Sequence, residues 1–129
     1  MPDLAAKKKR PLWFNLSPLN LPAPGLLSIF HRVSGAPLFL GLVWFLFLLE
    51  MSLGSEQGFA RAKAYVSVPI VKLVLLGFLW AFLHHFCAGI RFLFLDIDKG
   101  MELRTARITA FAVFAVSLAL TAVIGARLW

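Results

Sequence analysis

Leu73-Val-Leu-Leu-Gly-Phe-Leu-Trp-Ala-Phe-Leu-His-His-Phe-Cys-Ala-Gly-Ile90 is eighteen residues without a single Asp, Glu, Lys or Arg. That is nearly the ~20 residues an α-helix needs to cross a hydrocarbon core about 30 Å thick. Two runs like it flank it: Val33–Leu49, with 17 residues, and Ile108–Ala126, with 19. Each can borrow residues at its ends. The first can begin near Pro24, because Pro suits a first helical turn, with Arg32 reaching toward the headgroups. The second can begin near Val66, with Lys72 doing the same. The expected fold is an all-α integral membrane protein of three spanning helices, about 24–53, 66–95 and 105–128. A segment over 1–23 precedes the membrane domain at 24–129.

Composition excludes the alternatives. Of the 129 residues 60% are hydrophobic and 15% charged, with a mean hydropathy of +0.85. A soluble domain has about 45–50% apolar and about 25% charged residues. The formal charge of +7 does not indicate nucleic acid, which needs a solvated basic face. Here the cations lie between apolar spans. Cys87 is the sole cysteine, so there is neither a disulfide framework nor a thiolate metal cluster. In its apolar run it is expected to be a buried, inert thiol. Neither a cleavable signal peptide nor a mitochondrial presequence is legible at the start, which favours a bacterial origin.

The links between the runs also carry information. Gly54-Ser55-Glu56-Gln57-Gly58 has the composition of a turn, and Phe59–Tyr65 fits a short interfacial helix. Asp96–Arg107 is a charged connection. Lys7, Lys8, Lys9, Arg10 and Arg32 lie on the N-terminal side, and Arg91, Lys99, Arg104 and Arg107 lie around the second link. The first link has only Arg61 and Lys63, and the C-terminus Arg127. The positive-inside rule then places the N-terminus in the cytoplasm and the C-terminus in the periplasm.

Two polar groups at membrane depth attract function. Ser28 and Arg32 are four residues apart and share a helix face, with His31 beside them. Arg near a helix end can be a simple interfacial anchor, but that accounts for neither Ser28 nor His31. His84-His85 lies inside the second span, where an imidazole is expensive and marks a ligand, relay or cofactor site. The two rings point about 100° apart. His85 lines up with Gly77, Ala81 and Gly89, a stripe of small residues that admits a helix or a flat macrocycle. His84 shares its side with Trp80, Cys87, Ala88 and Arg91. His85 is therefore the better candidate for a haem ligand, against the plainer role of a helix-packing histidine. Six residues separate it from Arg91, about 9 Å of helix, which puts it near the same boundary as Ser28 and Arg32.

These residues carry a resemblance. Ser28-Ile29-Phe30-His31-Arg32-Val33-Ser34-Gly35 resembles the S-I-x-H-R-x-[ST]-G signature of the succinate dehydrogenase cytochrome b subunit, the larger membrane anchor. His85-Phe86-Cys87-Ala88-Gly89-Ile90-Arg91, with Asp96 following, is similar to that family's H-x-x-x-G-I-R-H signature, and Arg10-Pro11 matches its opening. The resemblance implies that Ser28 and Arg32 help bind ubiquinone and that His31 lies near the haem propionates and the quinone. It implies that His85 is an axial ligand of haem b, with the second ligand from a smaller anchor subunit. Flavoprotein and iron–sulfur subunits would sit on the cytoplasmic side and deliver electrons from succinate. This chain has no glycine-rich dinucleotide motif and no cysteine cluster of its own. His31 and Asp96 are candidates to line a proton route. Phe92 departs from the pattern, standing where many relatives have a second histidine, and Ser17-Pro18-Leu19-Asn20 departs from their Ser-Pro-His-Leu. A fumarate reductase or menaquinone-linked anchor, and a cofactor-free scaffold, are the rival readings.

Overall fold

The computed structural model describes residues 21–129, so the basic run and the Arg10-Pro11 opening lie outside the described residues. Four helices follow in order: α1 (Ala23–Gly54), α2 (Glu56–Val66), α3 (Pro69–Asp96) and α4 (Leu103–Leu128). Among the described residues there is no strand, and α1, α3 and α4 are long and apolar enough to span a membrane. Helices are what such sequences must form there, because lipid offers no partner for a backbone N–H or C=O. At 32 residues α1 is about 48 Å long, more than the hydrocarbon thickness, so it tilts or projects beyond the core.

The ends are set locally. Pro24 lies in the first turn of α1 and Pro69 opens α3. Both positions suit a residue with no N–H to donate. The turn expected over Gly54–Gly58 is far shorter than its composition suggests. The Ser55 hydroxyl accepts from the Gly58 N–H at 2.9 Å, so a single residue closes α1 and caps α2. Glu56 in the first turn and Lys63 in the last complement the α2 dipole. The second span starts at Pro69 rather than Val66, because Ser67 and Val68 form the turn after α2. Asp98 at φ 57° and Gly100 at φ 79° reverse the chain between α3 and α4.

α3 packs against both α1 and α4, while α2 lies mainly on the far end of α1. Large side chains face outward: Phe39 is 76% and Val43 73% exposed, an apolar exterior suited to a membrane. Small and polar residues face inward, among them Ser34, Gly41, Ala81, Ala88, Ala110, Ser117 and Gly125. This is the pattern of helices that associate by close packing rather than by hydrophobic exclusion. Gly41 shows why: a Cβ there would overlap the Phe78 ring of α3. On α4 a Cβ at Gly125 would come within 2.7 Å of Leu76. The buried hydroxyls bond within their own helix, Ser117 to the Phe114 carbonyl at 3.1 Å and Thr121 to the Ser117 carbonyl at 2.7 Å.

Candidate haem and quinone site

The entry of α1 and the exit of α3 lie side by side, and this brings His31 and His85 together. Their rings stack with centroids 4.1 Å apart and planes 16° from parallel. His85 Nδ1 lies 2.9 Å from the His31 carbonyl and 3.2 Å from Ser34 Oγ. The Ser34 hydroxyl itself donates to that same carbonyl at 2.9 Å. A carbonyl can only accept, so Nδ1 must carry the proton. In the neutral ring that leaves Nε2 with its lone pair free, the form in which histidine binds a metal. A backbone carbonyl on the other nitrogen is also the usual outer support of a ligating imidazole. The donor set fits an axial ligand of haem. The stack does not obstruct it, because the lone pair lies in the plane of the ring and His31 lies over its face.

Gly35 makes this contact possible, while Gly89 leaves ordinary van der Waals room. A Cβ on Gly35 would stand 3.0 Å from His85 Cε1, and one on Gly89 would stand 3.7 Å from His31 Nε2. The small-residue stripe on α3 is thus put to more than one use. Ala81 is buried by the neighbouring helices, Gly89 receives His31, and a Cβ on Gly77 would meet nothing within 4 Å. A groove of about 360 Å³ runs between α1 and α3 from Ser34 past Pro37, Gly77 and Ala81.

His84 has a different environment. It is 0% exposed, enclosed by Phe30, Trp80 and Phe114 with ring centroids 5.0–6.0 Å away. Neither ring nitrogen has a hydrogen-bond partner among the described residues. It faces the interior of the bundle, where no cofactor could reach it without parting the helices.

Ser28 and Arg32 meet on one face of α1, with Arg32 Nη2 3.5 Å from Ser28 Oγ. At that distance the contact is loose, and Arg32 is exposed. Phe92 packs against the other side of His31, with centroids 5.1 Å apart. Asp96 is exposed one turn further on at the end of α3 and makes no hydrogen bond to this cluster among the described residues. Two participants stand in the quoted motifs but were given no role there. Ser34 supports His85, and its spacing of three from His31 was the available signal. Arg91 is only 7% exposed. Its Nε donates to Thr109 Oγ1 at 2.9 Å and its Nη2 to the Ala106 carbonyl at 3.2 Å, tying α3 to α4. Cys87 is half-buried on the same side.

Residues 6–124 match the family described as succinate dehydrogenase/fumarate reductase transmembrane subunit. Three relatives are named succinate dehydrogenase cytochrome b556 subunit. That of Rickettsia felis is 34% identical over 116 residues, 88% of each chain. That of Coxiella burnetii is 33% identical over 122 residues, 94% of this chain and 98% of the relative. That of Paracoccus denitrificans is 33% identical over 111 residues, 86% and 85% of the two chains. The match runs through all three spanning helices, and with the apolar exterior it makes this chain a membrane subunit and a member of the succinate dehydrogenase/fumarate reductase transmembrane subunit family.

Proposed function

We propose that this chain is the larger membrane anchor of a succinate dehydrogenase, holding haem b through His85 and forming part of a ubiquinone site with Ser28 and Arg32. The observation that carries the reading is the hydrogen bond from His85 Nδ1 to the His31 carbonyl, which leaves Nε2 free to ligate. When bound, haem b supplies a one-electron carrier inside the membrane.

The chain's own residues do the rest. Ser34 and the His31 backbone fix the tautomer and orientation of His85. A smaller anchor subunit would supply the other protein ligand to the haem. An iron–sulfur subunit and a flavoprotein subunit deliver the electrons from succinate. Ser28 and Arg32 offer a hydroxyl and a cationic donor to a quinone carbonyl. Such donors interact more strongly with the charge that builds up on oxygen during reduction than with the starting quinone. His31 and Asp96 stand close enough to the end of α3 to line a route for the two protons a quinol needs. The N-terminus and the second link face the cytoplasm and the C-terminus faces the periplasm, as the Lys and Arg distribution requires.

The reduced optical spectrum of the purified complex tests this reading: a b-type band is expected. Its absence would leave a cofactor-free scaffold. Reporters fused before Pro2 and after Trp129 should lie on opposite sides of the membrane, with the second outside. Reversed reporters would overturn the orientation alone.

A further inference from the structure

Phe92 departs from the family pattern, and its place on α3 gives it a task. At 100° per residue it lies about 20° from the direction of His85, two turns further along, with Gly89 between them about 40° to the other side. Seven residues of helix rise about 10.5 Å. The His31 ring of α1 occupies that interval. Its centroid is 4.1 Å from that of His85, with planes 16° apart, and 5.1 Å from that of Phe92, with planes 47° apart. Gly89 forms the floor, where a Cβ would stand 3.7 Å from His31 Nε2. His85, Gly89 and Phe92 thus make a slot with two ring walls, and α1 inserts one ring into it.

We propose that Phe92 is a positioning residue that, through His31, sets the ring plane of His85 and so the orientation of the axial imidazole. The hydrogen bond from His85 Nδ1 to the His31 carbonyl fixes one atom of the ring but leaves the ring free to turn about the N–H···O line. A nearly parallel ring 4.1 Å away removes that freedom, provided that His31 is itself held. Nothing polar holds it: among the described residues the His31 carbonyl takes part in hydrogen bonds and the ring nitrogens in none. Packing must do so instead, and Phe92 supplies it on the face away from His85. At 5.1 Å the pair lies in the range where aromatic rings attract beyond the area they bury. Phe92 is anchored in turn, packed against the core cluster of Leu27, Ala88, Ala110 and Val113, and Leu27 stands one turn before His31 on α1. A histidine at this position can turn away to make a hydrogen bond, whereas phenylalanine, with no donor or acceptor, can only pack. What His85 ligates rests on the haem reading; the slot itself does not.

The test reads the low-spin ferric haem of the purified complex by electron paramagnetic resonance, whose low-field feature moves with the plane of an axial imidazole. Phe92→Leu keeps apolar bulk but not the ring. It should shift and broaden that feature while haem per complex stays at the parent level. Phe92→Tyr keeps the ring and should hold the feature at the parent position. In a His31→Leu background Phe92→Leu should add no further shift, because residues that act through one contact are not additive. If the leucine variant does not assemble, Phe92→Met is read in its place with the same expectations. An unmoved feature in Phe92→Leu, equal shifts for leucine and tyrosine, or a full additional shift in the double variant would overturn the proposal and leave Phe92 with ordinary packing alone. A parent complex without haem would sink the haem reading only. The slot would then be judged by cryo-electron microscopy of the parent and Phe92→Leu complexes, where His31 should leave the face of His85 in the variant, and a His31 ring that stays in place would overturn it.

Discussion

The two seams of α3 solve opposite problems with neighbouring residues. On the α1 side, His85 stacks on His31 and is held at Nδ1 by a backbone carbonyl, with one nitrogen left for a ligand. On the α4 side, Arg91 bonds to Thr109 and the Ala106 carbonyl, and its side chain helps to line a groove. Between them His84 is sealed among aromatic rings with no hydrogen bond among the described residues. Two imidazoles one residue apart therefore have unlike chemistry. Reactivity in a spanning helix depends on which seam a side chain enters, and a rotation of about 100° decides it.

The adjacent histidines give the sharpest way to break this comparison. His85→Ala should lower haem per assembled complex by well over tenfold, since even an outer-shell partner of a metal ligand is worth about 10–100-fold. His84→Leu should keep the haem band, because Leu fills the aromatic box and removes two unpartnered nitrogens. His84→Ala is a poorer control: a cavity in so closed a site costs about 2–5 kcal/mol and would lower assembly. Haem lost from the His84→Leu complex at normal assembly would mean that His84, rather than His85, supplies the ligand nitrogen.

Next in size is the close approach at Gly35. A Cβ 3.0 Å from His85 Cε1 forces the ring or the helix to move, and Gly35→Val adds two further methyls. Haem content should fall about tenfold, on the scale of lost outer-shell support, while Gly77→Ala, where a Cβ meets nothing, should change it little. A larger loss from the change at Gly77 would show that the macrocycle rests on that position.

The proposed quinone residues at the start of α1 are expected to show a smaller but selective effect. Arg32→Leu or Ser28→Ala removes a donor; a hydrogen bond to a charged group is worth about 1.5–3 kcal/mol, or about tenfold or more in rate. Succinate:quinone activity should drop by that factor, with electron transfer to a soluble artificial acceptor unchanged in the same membranes. Equal loss in both assays would reduce Ser28 and Arg32 to an interfacial anchor.

The smallest effect belongs to the α4 seam. Arg91→Met breaks two hydrogen bonds between α3 and α4, and such bonds average about 0.6 kcal/mol each in a membrane bundle. Thermal stability of the complex should decrease by a few degrees with the haem band unchanged in position. A shifted band would mean that the two seams are coupled through α3.

Much of this was legible in the residues because lipid is an unforgiving solvent. Three uncharged runs must be helices, since nothing else satisfies their backbones, and His85 stood out because an imidazole at that depth needs a reason. The pairing of Ser28 with Arg32 followed from a spacing of four. The length of the link before α2 was not legible, because Gly54–Gly58 has turn composition throughout and only the cap formed by Ser55 shows that one residue suffices. Side-chain periodicity sorted His84 from His85 by angle, yet an angle has no meaning until a neighbouring helix occupies it. Only the tertiary structure decided that α1 approaches at Gly35 and Gly89, that its backbone carbonyl fixes the His85 tautomer, and that Phe30 and Phe114 enclose His84. Those contacts join residues about fifty positions apart or on different helices, and helix packing selects them from several close-packed arrangements that the same apolar faces allow.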